Sequence, residues 1–129
     1  MSLLKKFKTT NVLEEAKDRV KFVFDNFERI YVSFSAGKDS TVMLHLVLEE
    51  AKTRNRKVGV LIIDLEAQYN LTIEHVRTCL DFYADNVEPY WVCLPISLRN
   101  AVSNYTPRWI CWDKDKKDSW VRPLPEHKG

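Results

Sequence analysis

The sequence predicts a three-layer α/β/α domain built on a parallel sheet, and three observations carry that expectation. Helical and extended hydrophobic patterns alternate from Asn11 to Pro95 in the order α-β-α-β-α-β, as parallel strands joined by right-handed crossovers require. The run Val58 to Asp64, VGVLIID, is apolar almost throughout rather than alternating, the pattern of a strand covered on both faces. A chain of 129 residues has room for one domain with a real core.

The elements follow in order. Asn11 followed by Glu14 is a helix start, since a short polar side chain can cap free amides. Leu13, Ala16, Val20, Val23, Phe24 and Phe27 then recur at helical spacing and make one apolar stripe. Ile30 to Phe34 reads as a short first strand. From Asp39 or Ser40 to about Arg54 the pattern is helical and apolar nearly all round, which predicts a well-buried helix. VGVLIID is the second strand. Asn70 can cap a third helix whose Ile73, Val76, Leu80 and Tyr83 share a face. Tyr90 to Leu94 is the third strand, closed by Pro95. Nothing after Pro95 reads as a further pair of strands. Residues 1–100 are therefore expected to form the α/β domain. Residues 101–129 hold three of the four tryptophans, three of the five prolines and the charge run DKDKKD, and read as a Trp-rich irregular tail.

Composition excludes several classes. A hydrophobic content of 45% with 29% charged residues suits a water-soluble globular chain. A net charge of +2 makes no general case for nucleic acid or a membrane surface. No apolar run is long enough to span a bilayer, and MSLLKKFKTT lacks an apolar signal core. Cys79, Cys93 and Cys111 are an odd count without CxxC spacing, so neither a disulfide framework nor a zinc site is expected. A reducing cytoplasm is the default location. For each cysteine, buried or inert packing is the expectation. His45 and His75 fall in helix patterns and His127 in the tail, with no paired partner visible.

The stretch SFSAGKDST, Ser33 to Thr41, carries the most chemistry. It joins the first strand to the second helix, on the side of an open sheet where ligands bind. Free amides at a helix start, with the positive end of its dipole, make an anion site. Ser35, Ala36 and Gly37 are small enough for a phosphate to approach the backbone, and Gly37 permits a turn that a side chain would resist. Ser35, Ser40 and Thr41 offer hydroxyls and Lys38 a positive charge. A plain helix cap needs only one of these. Two familiar phosphate loops are excluded: GxxxxGK[ST] would need glycine where Val32 stands and a hydroxyl where Asp39 stands, and GxGxxG fails because only Gly37 is present.

Ser35-Ala36-Gly37-Lys38-Asp39-Ser40 resembles the SGGxDS loop of the PP-loop adenine-nucleotide enzymes, with Ala36 in place of the first glycine. The stretch IIDLEAQYNLTIEHVRTCLDFYADNVEPYWVCLP is similar to the matching region of phosphoadenosine phosphosulfate reductases and their relatives, with Asp64, Glu66, Tyr69 and Thr72 in corresponding places and Leu65-Glu66 where Thr-Gly is usual. The likeness covers roughly residues 28 to 97. It implies a Rossmann-like sheet of the adenine nucleotide alpha hydrolase type, with family strand order 3-2-1-4-5, truncated here after strand three. It implies that Ser35 to Thr41 hold the nucleotide phosphates, and that Phe34 and Asp64 line the adenosine pocket.

Three functions follow from the resemblance and stay open at this point. One is cleavage of the α–β phosphate bond of ATP with adenylyl transfer, the loop amides and Lys38 stabilising charge on pyrophosphate. One is a sulfonucleotide reductase relative, although the C-terminal cysteine motif of those enzymes is missing from this chain. The third is a non-catalytic nucleotide-binding module working with a partner. The expected ligand is an adenine nucleotide, ATP or a sulfonucleotide, which Mg²⁺ could accompany; no metal-binding constellation is evident and no catalytic residue is assigned. With only three strands, the first would expose its edge, so a second copy, a partner protein or further chain is expected to complete the sheet.

Overall fold

The computed structural model describes residues 9–126; His127 lies outside them. The first helix, α1 (Val12–Asn26), opens with the expected capping box: Asn11 Oδ1 accepts from the Glu14 amide at 2.9 Å and Glu14 Oε2 from the Asn11 amide at 3.3 Å. Its far end is held by Arg56, whose guanidinium stacks on Phe24 at 5.0 Å and donates to the Phe24 and Phe27 carbonyls at 2.8 Å each. Then come β1 (Tyr31–Ser33), α2 (Lys38–Thr53), β2 (Val58–Ile63), α3 (Asn70–Phe82) and β3 (Val87–Val92).

The sheet runs β1-β2-β3, all parallel, with Val32 opposite Val60 and Val60 opposite Pro89. This is the Rossmann-like α/β arrangement the sequence predicts, in its truncated form. Val58, Val60 and Ile62 point to one side, where Phe24, Leu44, Leu48, Val76 and Leu80 from the three helices close over them as one core. On the opposite side Tyr31, Gly59, Leu61 and Tyr90 line an open groove. Tyr31 is 71% and Ile63 48% exposed there, so VGVLIID is covered on one face only.

Three further expectations are corrected. The helix α2 is not buried all round: Leu44, Val47, Leu48 and Ala51 face the core, while Val42 and Met43 stand exposed. The third strand starts earlier than Tyr90 and contains Pro89. That is tolerated because β3 is an edge, where a missing N–H need not reach a neighbour. After Pro95 a pair of strands does form: β4 (Ile96–Arg99) and β5 (Arg108–Cys111) make an antiparallel ribbon, with Leu98 opposite Trp109. The ribbon is a separate sheet and does not extend β1. A kinked 3₁₀ segment, Lys114–Ser119, follows.

Candidate functional site

The backbone leaves β1 and turns sharply into α2. Phe34 continues the strand, its amide donating to the Leu61 carbonyl at 2.8 Å, and its ring is buried beside His75 at 6.1 Å. The turn is made at Ala36, which takes a left-handed φ of 61°. Gly37 has an ordinary φ of −76° and is the N-cap. The sequence reading gave the unusual backbone to Gly37, and the structure moves it one residue back. That is the position where the SGGxDS pattern carries its first glycine.

Ala36 therefore bears a strained conformation that glycine would adopt freely. Ala36→Gly is expected to stabilise the chain by about 0.5–1 kcal/mol, the relief of strain being partly offset by a more flexible unfolded chain. Urea denaturation measures this. A loss of stability would mean that the packing of the Ala36 methyl against the core outweighs the strain.

Gly37 serves a different end. A Cβ built there would sit 3.6 Å from Ser35 Oγ and 4.0 Å from Ser40 Oγ, beside the two hydroxyls and in ordinary contact with them. Glycine leaves that position bare. The first backbone bond of α2 runs from the Thr41 amide to the Gly37 carbonyl at 2.9 Å, so the amides of Lys38, Asp39 and Ser40 have no acceptor within the helix. No side chain caps them, in contrast to α1. Ser35 Oγ and Ser40 Oγ lie 3.0 Å apart, and Ser40 Oγ donates to the Gly37 carbonyl at 3.0 Å. Lys38 and Asp39 pair at 2.7 Å with both side chains 89% exposed, so neither is committed to the fold. Uncapped amides, two hydroxyls and an exposed ammonium group paired with Asp39 lie on one turn. Such a turn can bind a phosphate.

Asp64, which the resemblance places at an adenosine pocket, follows β2, and its side chain is engaged by the protein. Its side chain is wholly buried. One carboxylate oxygen accepts from Trp91 Nε1 at 2.8 Å, and the other from the Glu66 amide at 2.9 Å and from Arg122. Glu66, at φ 66°, turns the chain so that its carboxylate accepts from the Trp112 amide at 2.6 Å and the Val121 amide at 3.1 Å. Trp112 Nε1 donates to the Asp64 carbonyl at 2.7 Å, and the Arg122 guanidinium lies 5.1 Å from the Trp112 ring centre. Trp120 packs edge-on against Trp112 at 5.2 Å. Two acidic residues behind β2 thus tie down the C-terminal segment. Of the tryptophans in this segment, Trp112 is buried.

The structure thus brings Ser35, Gly37, Lys38, Asp39 and Ser40 together on one turn. Phe34 and Asp64 lie at strand ends beside it, with side chains engaged by the protein. Tyr69, rather than Asn70, occupies the cap of α3 and is largely exposed. Cys79 and Cys111 are buried, and the Cys93 thiol is pushed up to about 12 by burial and then by the Asp64 charge. Sequence reasoning missed the partners of the histidines: His75 Nε2 lies 2.9 Å from Thr41 Oγ1, and His45 Nδ1 2.7 Å from the Tyr83 hydroxyl. These partners are more than thirty residues away in sequence, beyond any local pattern. Among the described residues no cluster of three or more His, Cys, Asp or Glu could hold a metal ion, and no helix is long and apolar enough to cross a membrane.

The uncharacterized protein YbdN of Escherichia coli (strain K12) is 42% identical over 127 residues, covering 98% of this chain and 31% of the relative. The chain thus spans under a third of that relative's length. The model of the phosphoadenosine phosphosulfate reductase domain matches residues 29–104, more than half of the chain, from the edge of β1 through β4. The chain belongs to the phosphoadenosine phosphosulfate reductase domain family.

Proposed function

We propose that the chain binds an adenine nucleotide, ATP or a sulfonucleotide, by its phosphates at the turn between β1 and α2. The observation that carries this is the uncapped start of α2 beneath Gly37, where the space a Cβ would fill lies beside the Ser35 and Ser40 hydroxyls. An anion placed there meets the amides of Lys38, Asp39 and Ser40 and the positive end of the helix dipole. Lys38 leaves its exposed pair with Asp39 to reach it. Asp39 is then free to face a Mg²⁺ brought by the nucleotide, since that ion is commonly held by one carboxylate together with phosphate oxygens. On the adenosine side, Phe34 and Asp64 offer backbone and shape rather than free side-chain groups.

With ATP as ligand, this arrangement supports α–β phosphate cleavage. As an acceptor nucleophile, or water, bonds to the α-phosphorus and takes the adenylyl group, fixed amides and Lys38 take up the charge developing on the departing pyrophosphate. A binding module would use the same contacts without turnover. A reductase would need an activated thiolate; in this chain Cys79 and Cys111 are buried, and burial pushes the Cys93 thiol up to about 12. Mass spectrometry of the nucleotide that co-purifies with the chain tests the binding. An adenine nucleotide is expected, its mass distinguishing ATP from a sulfonucleotide, and formation of AMP and pyrophosphate would separate enzyme from module. Loss of all adenine-nucleotide binding, with the fold intact, would overturn the proposal.

The open face around Tyr31, Gly59 and Tyr90, and the edge of β1 that no strand among the described residues pairs, support a companion proposal, that a second copy, a partner or further chain covers them. Light scattering behind a sizing column reads this for the isolated chain. Self-association is expected, and a stable monomer of 15.2 kDa with slow amide exchange along β1 would contradict it.

A further inference from the structure

The helices α2 and α3 meet along a seam of polar pairs, and one of them reaches the phosphate-loop turn. Thr41 has a single hydroxyl proton. Its Oγ1 lies 2.8 Å from the Gly37 carbonyl oxygen, which can only accept, so the proton goes there. The 2.9 Å contact between Thr41 Oγ1 and His75 Nε2 then requires the imidazole to donate. His75 is accordingly protonated at Nε2. The Cys79 sulfur is 3.7 Å from one ring nitrogen and 3.9 Å from the other, nearly equidistant, so it lies against the ring without fixing either nitrogen. Phe34 packs on the remaining side.

The Gly37 carbonyl is meanwhile oversubscribed. It faces the Thr41 amide at 2.9 Å, Thr41 Oγ1 at 2.8 Å and Ser40 Oγ at 3.0 Å, three donors for two lone pairs. Ser40 has an alternative partner in Ser35, 3.0 Å away, and can turn off the carbonyl at little cost. Thr41 cannot, because His75 holds its oxygen from behind.

We propose that His75 is a positioning residue of the phosphate loop. By donating to Thr41 it keeps that hydroxyl on the Gly37 carbonyl, and it divides the loop's hydroxyls into a fixed strut, Thr41, and two that turn to the ligand, Ser35 and Ser40. The inference rests on the phosphate-loop reading above and refines it, since Thr41 then supports the turn instead of touching phosphate. It also gives α3, which supplies no ligand of its own, a part in shaping the site.

The test uses inorganic pyrophosphate as the probe, on wild type, His75→Leu, His75→Gln and Thr41→Val. The amide nitrogen of Gln can donate from about where the imidazole Nε2 stands. Nitrogen NMR of wild-type His75 is expected to report a proton on Nε2. His75→Leu is expected to weaken pyrophosphate binding about fivefold, the loss of one ordinary hydrogen bond, and His75→Gln to recover it to within about twofold. Thr41→Val keeps the shape of Thr41 and should reproduce the loss, which keeps the test decisive if the leucine variant does not fold. A neutral His75 protonated on Nδ1 alone would overturn the inference. So would a folded leucine or valine variant that binds as wild type, or a glutamine variant as weak as leucine. Wild type failing to bind pyrophosphate would sink the phosphate-loop reading itself, an outcome distinct from wild type and variants binding alike.

Discussion

Asp64→Ala is expected to destabilise the chain by about 3–5 kcal/mol, the usual cost of removing one partner from a buried ion pair. The substitution leaves the Arg122 guanidinium, whose side chain is 12% exposed, without its counter-charge. It also strands the Trp91 indole N–H and the Glu66 amide, both of which donate to the same carboxylate. Replacing both partners with apolar residues, as in Asp64→Leu with Arg122→Met, should cost less than the single change, because the guanidinium is not left without its counter-charge. Urea denaturation of the single and double variants makes the comparison. A loss below about 1 kcal/mol for Asp64→Ala, together with a selective loss of nucleotide binding over pyrophosphate binding, would return Asp64 to the ligand side.

Lys38→Ala combined with Ser40→Ala is expected to reduce adenine-nucleotide affinity at least tenfold while leaving stability nearly unchanged. Charge-assisted phosphate contacts are worth about 1.5–3 kcal/mol each, so even one lost contact reaches that mark. The fold should not notice. Lys38 pairs only with exposed Asp39, and without the Ser40 hydroxyl the Gly37 carbonyl keeps both donors from Thr41. Calorimetric titration of the double variant beside its melting curve separates binding from folding. Unchanged affinity in a folded variant would remove Lys38 and Ser40 from the site.

Much of this was legible because local patterns carry it. The capping box at Asn11 and Glu14, the alternation of elements and the small, hydroxyl-rich turn at Ser35 to Thr41 are short-range features, and the structure keeps each of them. What sequence reading missed depends on distant partners. That Asp64 is buried depends on Arg122, 58 residues later, and its neutral-looking strand end gives no hint of that. The β4–β5 ribbon joins strands of four residues across residues 100–107, which offer no two-residue turn signal. The apolar outer positions of α2 and β2 suggested full burial, but apolar character only says that a surface can be covered. There Val42, Met43 and Ile63 stay exposed. The exchange of roles between Ala36 and Gly37 is subtler. Either residue could make the turn, and only the φ values tell which one does.

The most direct test of the central claim is calorimetric titration of wild type and Gly37→Ala with inorganic pyrophosphate and with ATP. The added methyl would lie 3.6 Å from Ser35 Oγ and 4.0 Å from Ser40 Oγ, which is ordinary contact, and the φ of −76° suits alanine. The variant should therefore fold and melt like wild type, while its methyl occupies the space a phosphate needs. Wild type is expected to bind both ligands and Gly37→Ala to lose both by tenfold or more. Wild-type affinity for both ligands in folded Gly37→Ala would contradict a phosphate site at the start of α2.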